Sequence, residues 1–507
     1  MIRTKTAIAR AILARFRHKI ARLAKTILSE RFVESRILPA LLLLMLNLKI
    51  WIAFQYRIEM WDAYSYLLNA RRFLLGYDPY IFFEILRPPL FPYVISILWK
   101  LFGENYYVAA AVQPIFTVAA SYVCFLLVKR MFGFQSALVA SLFMLVIPEV
   151  FLWTNHILVH GVDLLFITAS IYFLWRGITG RPEYYPLAAG SLALATLTRY
   201  TTLLFVPVFP LIMLLKTYRS SRRLRRSLRN PWTMFWPLFG ALVFVLIWLP
   251  WLLWNYESVG GNPFASLQYG FFTAVEQEGA YDPTTWYFYI EKIPALLGVP
   301  ATLLLFVGLV YGNMFKHRSR LILFFWILAF FAFHTAIPNR QTRFYVEWAP
   351  PLAAFVGLGA TRLQQHLSSK ERIMAWTLIY LSFGTMLVSA VNASLADIPR
   401  QEGFIRSYDE FKEVSNWLVT NTDRSVIGAT DIGPYLSYAT NRLFYDTTWI
   451  DRESTAKGLT RIQFMKKLGV RLVVVRSDYA HEFRLSEEPN LMLIKSFPNY
   501  LVFSLTG

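Results

Sequence analysis

The chain has 507 residues, of which 56% are apolar, 17% aromatic and only 16% charged. Soluble domains run nearer ~45–50% apolar and ~25% charged, so an ordinary cytosolic enzyme, a disordered chain and a coiled coil are excluded, and the composition is that of a polytopic membrane protein. Yet 51 Lys and Arg against 31 Asp and Glu leave +20, a balance that by itself would suggest nucleic acid or a membrane surface.

The first 36 residues hold ten Lys and Arg, with Ile8, Ile12, Phe16, Ile20, Leu23 and Ile27 mostly three or four apart. This reads either as a basic amphipathic helix on an anionic inner leaflet or as a solvated charged tail. Nothing like a cleavable signal peptide is seen in it. Runs of roughly 17–25 apolar residues can cross a bilayer, and about eleven follow. They are 37–54, 106–128, 136–153, 162–175, 184–198, 201–215, 232–254, 293–311, 321–337, 345–360 and 373–391. The pieces at 1–36, 129–135, 176–183, 216–231, 312–320 and 361–372 carry a net +23, and everything else carries −3. Lys and Arg mark the cytoplasmic side, so the whole excess is a topology signal. It predicts a cytoplasmic N-terminus, a multi-pass protein of the plasma membrane, and a C-terminal segment outside. A nucleic-acid partner is rejected on the same ground, since no folded basic domain is present. The single Cys124 lies in an apolar run and says nothing about compartment.

The outer connection 55–105 is long and rich in polar and aromatic groups, which usually means function. Residues 62–75 predict a helix that ends at Gly76, with Asp62, Tyr66 and Asn69 on one face. Pro88-Pro89 opens a second helix over 90–101, too short to span with ease. A carboxylate at the outer rim of a bundle suits general-base work, because desolvation can raise its pKa; Asp62 is equally suited to capping a helix. Arg87 beside two prolines could clamp a phosphate or simply snorkel to head groups.

Further along, Asp163 sits at the outer start of the fourth span, where an ionisable group is expensive, unless it serves the helix N-terminus. His156, His160 and Asp163 together offer a less favoured metal site. Arg199 and Tyr200 form the turn between the fifth and sixth spans. Residues 255–292 make a second long outer loop, with aromatics at 286–289. In 338–345, Arg340 and Arg343 are candidate phosphate ligands, Tyr345 follows them, and Glu347 could pair with either arginine. From 392 onward the chain turns globular. A helix at 408–420, strands at 425–429, 443–446 and 471–476, a helix at 454–468 and a closing strand pair at 491–496 and 500–504 predict a small α/β domain. Asn392-Ala393-Ser394 is a glycosylation sequon, a weak signal. Asp431 reads as a turn residue at a strand end.

Asp62-x-x-x-Tyr66, Gly76-x-Asp78-Pro79-Tyr80 and Arg87-Pro88-Pro89-Leu90, placed directly after a first span, resemble the first external loop of the GT-C glycosyltransferases. The protein O-mannosyltransferases and the lipid A aminoarabinose transferases are the most similar. The likeness runs over about 37–390. It implies a mainly α, GT-C-like bundle (domain 37–391) between the basic tail 1–36 and an extracytoplasmic α/β domain over 392–507. It implies a polyprenyl-phosphate-linked sugar as donor, a protein, lipid or glycan acceptor, and no required cofactor, with a divalent metal the less favoured case. Asp62 would then be the catalytic base, with Arg87, Arg199, Arg340 and Arg343 on the donor phosphate. Tyr66, Tyr80, Asp163, Tyr200 and Tyr345 would line the substrate. Many relatives carry Asp-Glu where this chain has Asp62-Ala63, with Glu59 three residues earlier. A transporter or lipid flippase is the competing class, but its acids would lie near the membrane midplane in repeated halves, and no repeat is seen.

Overall fold

The structure is a computed structural model describing residues 29–75, 86–218, 231–276, 286–312, 321–337, 340–482 and 485–506. The tail helix as far as residue 28, the Gly76–Tyr80 motif, 281–283 and Asn339 lie outside the described residues.

The chain is mainly helical. The first span, α1 (Glu30–Ala53), includes a π-helical turn at Val33–Ile37. Its Lys49 is buried and donates to the Phe151 carbonyl at 3.0 Å, satisfying a helix-end acceptor. Then come α2 (Trp61–Leu75), α3 (Leu90–Phe102) and α4 (Tyr106–Phe132). The predicted span 136–153 is two helices, α5 (Phe134–Val146) and α6 (Pro148–Trp153), because Ile147 is extended ahead of Pro148. There follow α7 (His160–Ile178), α8 (Tyr185–Thr198), α9 (Phe205–Tyr218) and α10 (Pro231–Ser258). After α10 comes a helix that periodicity did not predict, α11 (Ala265–Glu276). The bundle closes with α12 (Phe288–Tyr311), α13 (Leu321–Ala336), α14 (Ala349–Gln365) and α15 (Ser369–Glu402). Among the described residues, six helices are long and apolar enough to cross a membrane, and four apolar ones are shorter.

Close backbone approach locks α12 to α14. A Cβ on Gly308 would collide with the Phe355 carbonyl, and one on Gly359 with the Leu304 carbonyl. Small residues at such crossings let helices pack where lipid supplies no hydrophobic drive.

Helix α15 runs through residue 392 to Glu402, so the sequon lies inside it. Ser394 is buried and bonds the Ala390 carbonyl, while Asn392 is exposed. Beyond it stands a five-stranded sheet in the order β2-β1-β3-β5-β4, from β1 (Ile427–Thr430), β2 (Phe444–Asp446), β3 (Val470–Arg476), β4 (Leu491–Ser496) and β5 (Tyr500–Leu505). The first three strands are parallel and the last two antiparallel. Around it lie α16 (Tyr408–Asn421), α17 (Gly433–Thr440), α18 (Thr447–Ala456), α19 (Arg461–Lys467) and α20 (Ser477–Glu482). The predicted helix 454–468 is split into α18 and α19 at Gly458, whose φ of 64° is one that glycine adopts freely. Asp431 follows β1 and pairs with Arg476 at 2.6 Å.

Candidate functional site

Asp62 is the second residue of α2, where the positive end of the helix dipole favours a carboxylate. Two arginines from distant segments grip it. Arg87, in the turn before α3, donates Nη2 to Oδ1 at 3.0 Å. Arg343, in the 3-10 turn Thr342–Trp348, donates Nη1 to Oδ2 at 3.3 Å. The Arg87 guanidinium also lies 5.4 Å from the Tyr66 ring centre, and Tyr66 packs edge-on to Phe91. Asp62 keeps 28% of its side chain exposed and each arginine 18%, so an incoming molecule can reach all three.

The electrostatics differ from the expectation of a raised pKa. Burial does push the Asp62 carboxyl up, but the charges of Arg87 and Arg343 outweigh it and hold the group at about 2. Asp62 is therefore a fully ionised carboxylate wedged between two cations.

The other predicted residues divide. Arg199 is held by partners other than Asp62. It pairs with Glu347 at 2.8 Å, donates to His160 Nδ1 at 3.2 Å and lies over the Phe344 ring. Glu347 was expected to pair with Arg340 or Arg343. It is instead buried against Arg199, His334 Nε2 (2.9 Å) and Thr201 (3.1 Å). Asp163 is buried in the first turn of α7, within the field of Glu347 and Arg199. Arg340 donates to the Thr335 carbonyl at 2.9 Å. Tyr345 is buried, with its hydroxyl on the Tyr289 carbonyl, so it packs the bundle rather than lining an open surface. Tyr200 braces the arginine turn: its hydroxyl donates to the Leu86 carbonyl at 3.3 Å and accepts from Trp251 at 3.0 Å. Tyr80 lies outside the described residues.

His156, His160 and Asp163 do not converge, and no metal cage of three or more His, Cys, Asp or Glu forms among the described residues. His156 turns the other way. Its Nδ1 meets Glu59 at 2.7 Å, and its Nε2 faces Asp397 of α15 at 3.2 Å, a charge contact rather than an aligned hydrogen bond. Glu59 also accepts from the Ile157 amide, and Tyr56 donates to the Ser394 carbonyl at 3.0 Å. Glu59 thus belongs to a clasp beneath α2 and not to the carboxylate of the site. Burial lowers the His156 pKa, but Glu59 and Asp397 more than reverse this and raise it to about 9.

Three further ionisable groups, His334 on Glu347, Asp397 on His156 and Glu149 on Trp153, were not singled out from the sequence. His334 was available as an ionisable group inside an apolar run. Asp397 carried no local signal, since its partner is remote in the chain. Glu149, inside the run 136–153 read as one span, accepts from Trp153 at 2.5 Å.

Residues 86–254 match the dolichyl-phosphate-mannose-protein mannosyltransferase family. No curated protein matches the chain. Among solved structures, ArnT from Cupriavidus metallidurans bound to undecaprenyl phosphate is 11% identical, with a TM-score of 0.66 over 92% of this chain and 97% of that one. The archaeal oligosaccharyltransferase AglB from Archaeoglobus fulgidus, in complex with an inhibitory peptide and a dolichol-phosphate, is 14% identical, with a TM-score of 0.63 over 88% of this chain and 70% of that one. The chain is a multi-pass membrane protein with the fold of the GT-C glycosyltransferases, similar over its matched segment to the protein mannosyltransferases and over nearly its whole length to ArnT.

Proposed function

We propose that the chain transfers a sugar from a polyprenyl-phosphate-linked donor to a hydroxyl-bearing acceptor (protein, lipid or glycan) on the outer face of the plasma membrane. The observation that carries this reading is the Asp62 carboxylate held between Arg87 and Arg343 at a reachable rim. The ligands named for ArnT and AglB, undecaprenyl phosphate and a dolichol-phosphate, support the donor class. The charge asymmetry of the loops supports a cytoplasmic N-terminus and an outer C-terminal domain.

The chemistry follows from the charges. The donor phosphate is a diester with one negative charge, and as its bond to the anomeric carbon breaks it becomes a monoester with a third free oxygen and a second charge, so its hold on two guanidiniums strengthens through the reaction. Arrival of the donor phosphate draws Arg87 and Arg343 toward it and leaves Asp62 with an open acceptor oxygen. Asp62 takes the proton of the acceptor hydroxyl as its oxygen bonds to the anomeric carbon. The bond from that carbon to the phosphate oxygen breaks, and polyprenyl phosphate departs with the electron pair. The arginines hold the released charge, so the reaction calls for no cofactor. Attack from the face opposite the phosphate inverts the anomeric centre. Arg199, pinned on Glu347, and Asp163 shape the floor of the site rather than touch the donor.

The test is purified protein in vesicles with radiolabelled polyprenyl-phosphate sugars and candidate acceptors. Asp62→Asn is expected to lower transfer by about 10²–10⁴-fold while polyprenyl phosphate still binds. Full transfer by Asp62→Asn would remove the base. Movement of a labelled solute across the vesicle with no donor consumed would establish the transporter reading instead.

A further inference from the structure

The helix that carries Asp62 is held on two sides. One side meets Arg87, Arg343 and α3. The other meets the C-terminal domain, and there the contacts run the length of α2. Tyr64 packs on Tyr435 (ring centres 4.5 Å) and on Tyr438 (5.5 Å). Arg71, paired with Glu104, donates to the Tyr438 carbonyl at 3.1 Å and lies over the Tyr438 ring. These contacts form a single apolar cluster in which Ala63, Tyr64 and Leu67 share a core with Tyr435, Leu436 and Phe444.

The tightest point is at the first turn, next to Asp62. The Trp61 indole lies edge-on to Tyr435 and comes so close to Gly433 that a Cβ there would sit 3.0 Å from Trp61 Cη2 and 3.3 Å from Cζ2. Asp446 closes the space behind, 3.5 Å from the same point. A Cβ at Gly433 would require Trp61 to give by a few tenths of an ångström and a larger side chain would require more, and Trp61 is the residue directly before Asp62. Close-packed interiors pass such a displacement on rather than absorb it.

We infer that Gly433 is a positioning residue: by leaving room for Trp61, the C-terminal domain sets where Asp62 stands against Arg87 and Arg343. The domain is then part of the catalytic apparatus, whatever else it binds. The inference rests on Asp62 as the base. A misplacement of about 1 Å is worth up to ~10² in rate.

The experiment compares Gly433→Val, Gly433→Val with Trp61→Phe, Trp61→Phe alone and Asp62→Asn in the full-length protein. Phenylalanine lacks the two indole carbons that the new side chain would strike. Gly433→Val is expected to lower kcat about tenfold or more, with donor KM and polyprenyl phosphate binding within about twofold of wild type. Adding Trp61→Phe is expected to return kcat to that of Trp61→Phe alone. A merely structural lesion would lower thermal stability and donor binding together and would not be rescued by a smaller ring; Gly433→Ala, read in the same way, covers the case in which valine prevents folding. Wild-type kcat in Gly433→Val, or a folded double variant that stays slow, overturns the inference. If Asp62→Asn is inactive while Gly433→Val is fully active, the inference alone fails. If Asp62→Asn is active, the base assignment fails whatever Gly433 does.

Discussion

Arg343 lies 281 residues downstream of Asp62 and yet donates to its carboxylate at 3.3 Å. The contact ties the 3-10 turn Thr342–Trp348 to helix α2. With Arg87 it sets the charge state of the site.

A pH dependence follows from that contact. In the folded protein Asp62 titrates at about 2, below the ordinary carboxylate value. A depressed carboxyl contributes stability that is present above its unfolded pKa of ~3.9 and is lost as pH falls through about 2. The working range of wild type therefore contains no Asp62 titration. Arg343→Ala leaves burial opposed by Arg87 alone, so the pKa must rise. The acid limb of the pH–kcat/KM profile should move upward in Arg343→Ala, and less in Arg343→Lys, which keeps the charge and loses the planar fork. An unchanged profile in Arg343→Ala would separate Arg343 from the base.

Arg199 should respond differently from Arg87. It neutralises Glu347, which is 1% exposed. Removing one partner of a buried pair leaves the other charge uncompensated, at roughly 3–5 kcal/mol. Arg199→Ala is expected to lower the melting temperature in detergent sharply. Arg199→Ala with Glu347→Gln should recover much of it. Arg87→Ala should melt near wild type and raise donor KM instead. A stable Arg199→Ala with a raised donor KM would return Arg199 to the phosphate.

What the sequence made legible follows from how local each signal is. The helices up to α4 and the strand boundaries of the C-terminal domain were readable because apolar period and turn residues are properties of neighbours. Asp62 and Arg87 were readable from one loop. The pairing of Glu347 was not, because Arg340 and Arg343 are near in sequence while Arg199 is near only in space. The same holds for His156 with Asp397, and for Trp61 with Gly433. The charge state of Asp62 was misread for a related reason: burial could be guessed from the rim, but the second guanidinium came from 281 residues away.

The His156 clasp carries a second pH prediction. Its folded pKa of about 9 lies above the unfolded ~6.5. A raised pKa gives stability that is complete below ~6.5 and lost as pH climbs through about 9, on the order of 3 kcal/mol. The groups facing the ring are Glu59, Asp397 and the rings of Tyr56 and Trp153. Melting temperature should therefore fall between about pH 7 and 9 in wild type. His156→Gln should melt lower at pH 7 with a flatter dependence. A wild-type curve as flat as that of His156→Gln would show that His156 is neutral in the folded protein.

The crossing of α12 and α14 gives the most severe prediction. Gly308 faces the Phe355 carbonyl and Gly359 faces the Leu304 carbonyl, so each glycine opens the approach for the other helix. Backbone is what lies opposite, and backbone cannot rotate away as a side chain can. The same helix α14 packs against α5 through Gly357 at the Ser136 carbonyl. Helices at such crossings are held by van der Waals contact and not by exclusion of water, so a gap there is not closed by solvent cost. Gly359→Leu must separate α12 from α14, and the 3-10 turn bearing Arg343 runs directly into α14. The expected result is loss of monodisperse protein on extraction, with any remainder melting well below wild type. Gly384, which has nothing within 4 Å of the position its Cβ would take, should accept leucine with no change in melting temperature. Equal behaviour of the two substitutions would mean that the α12–α14 contact does not hold the bundle together.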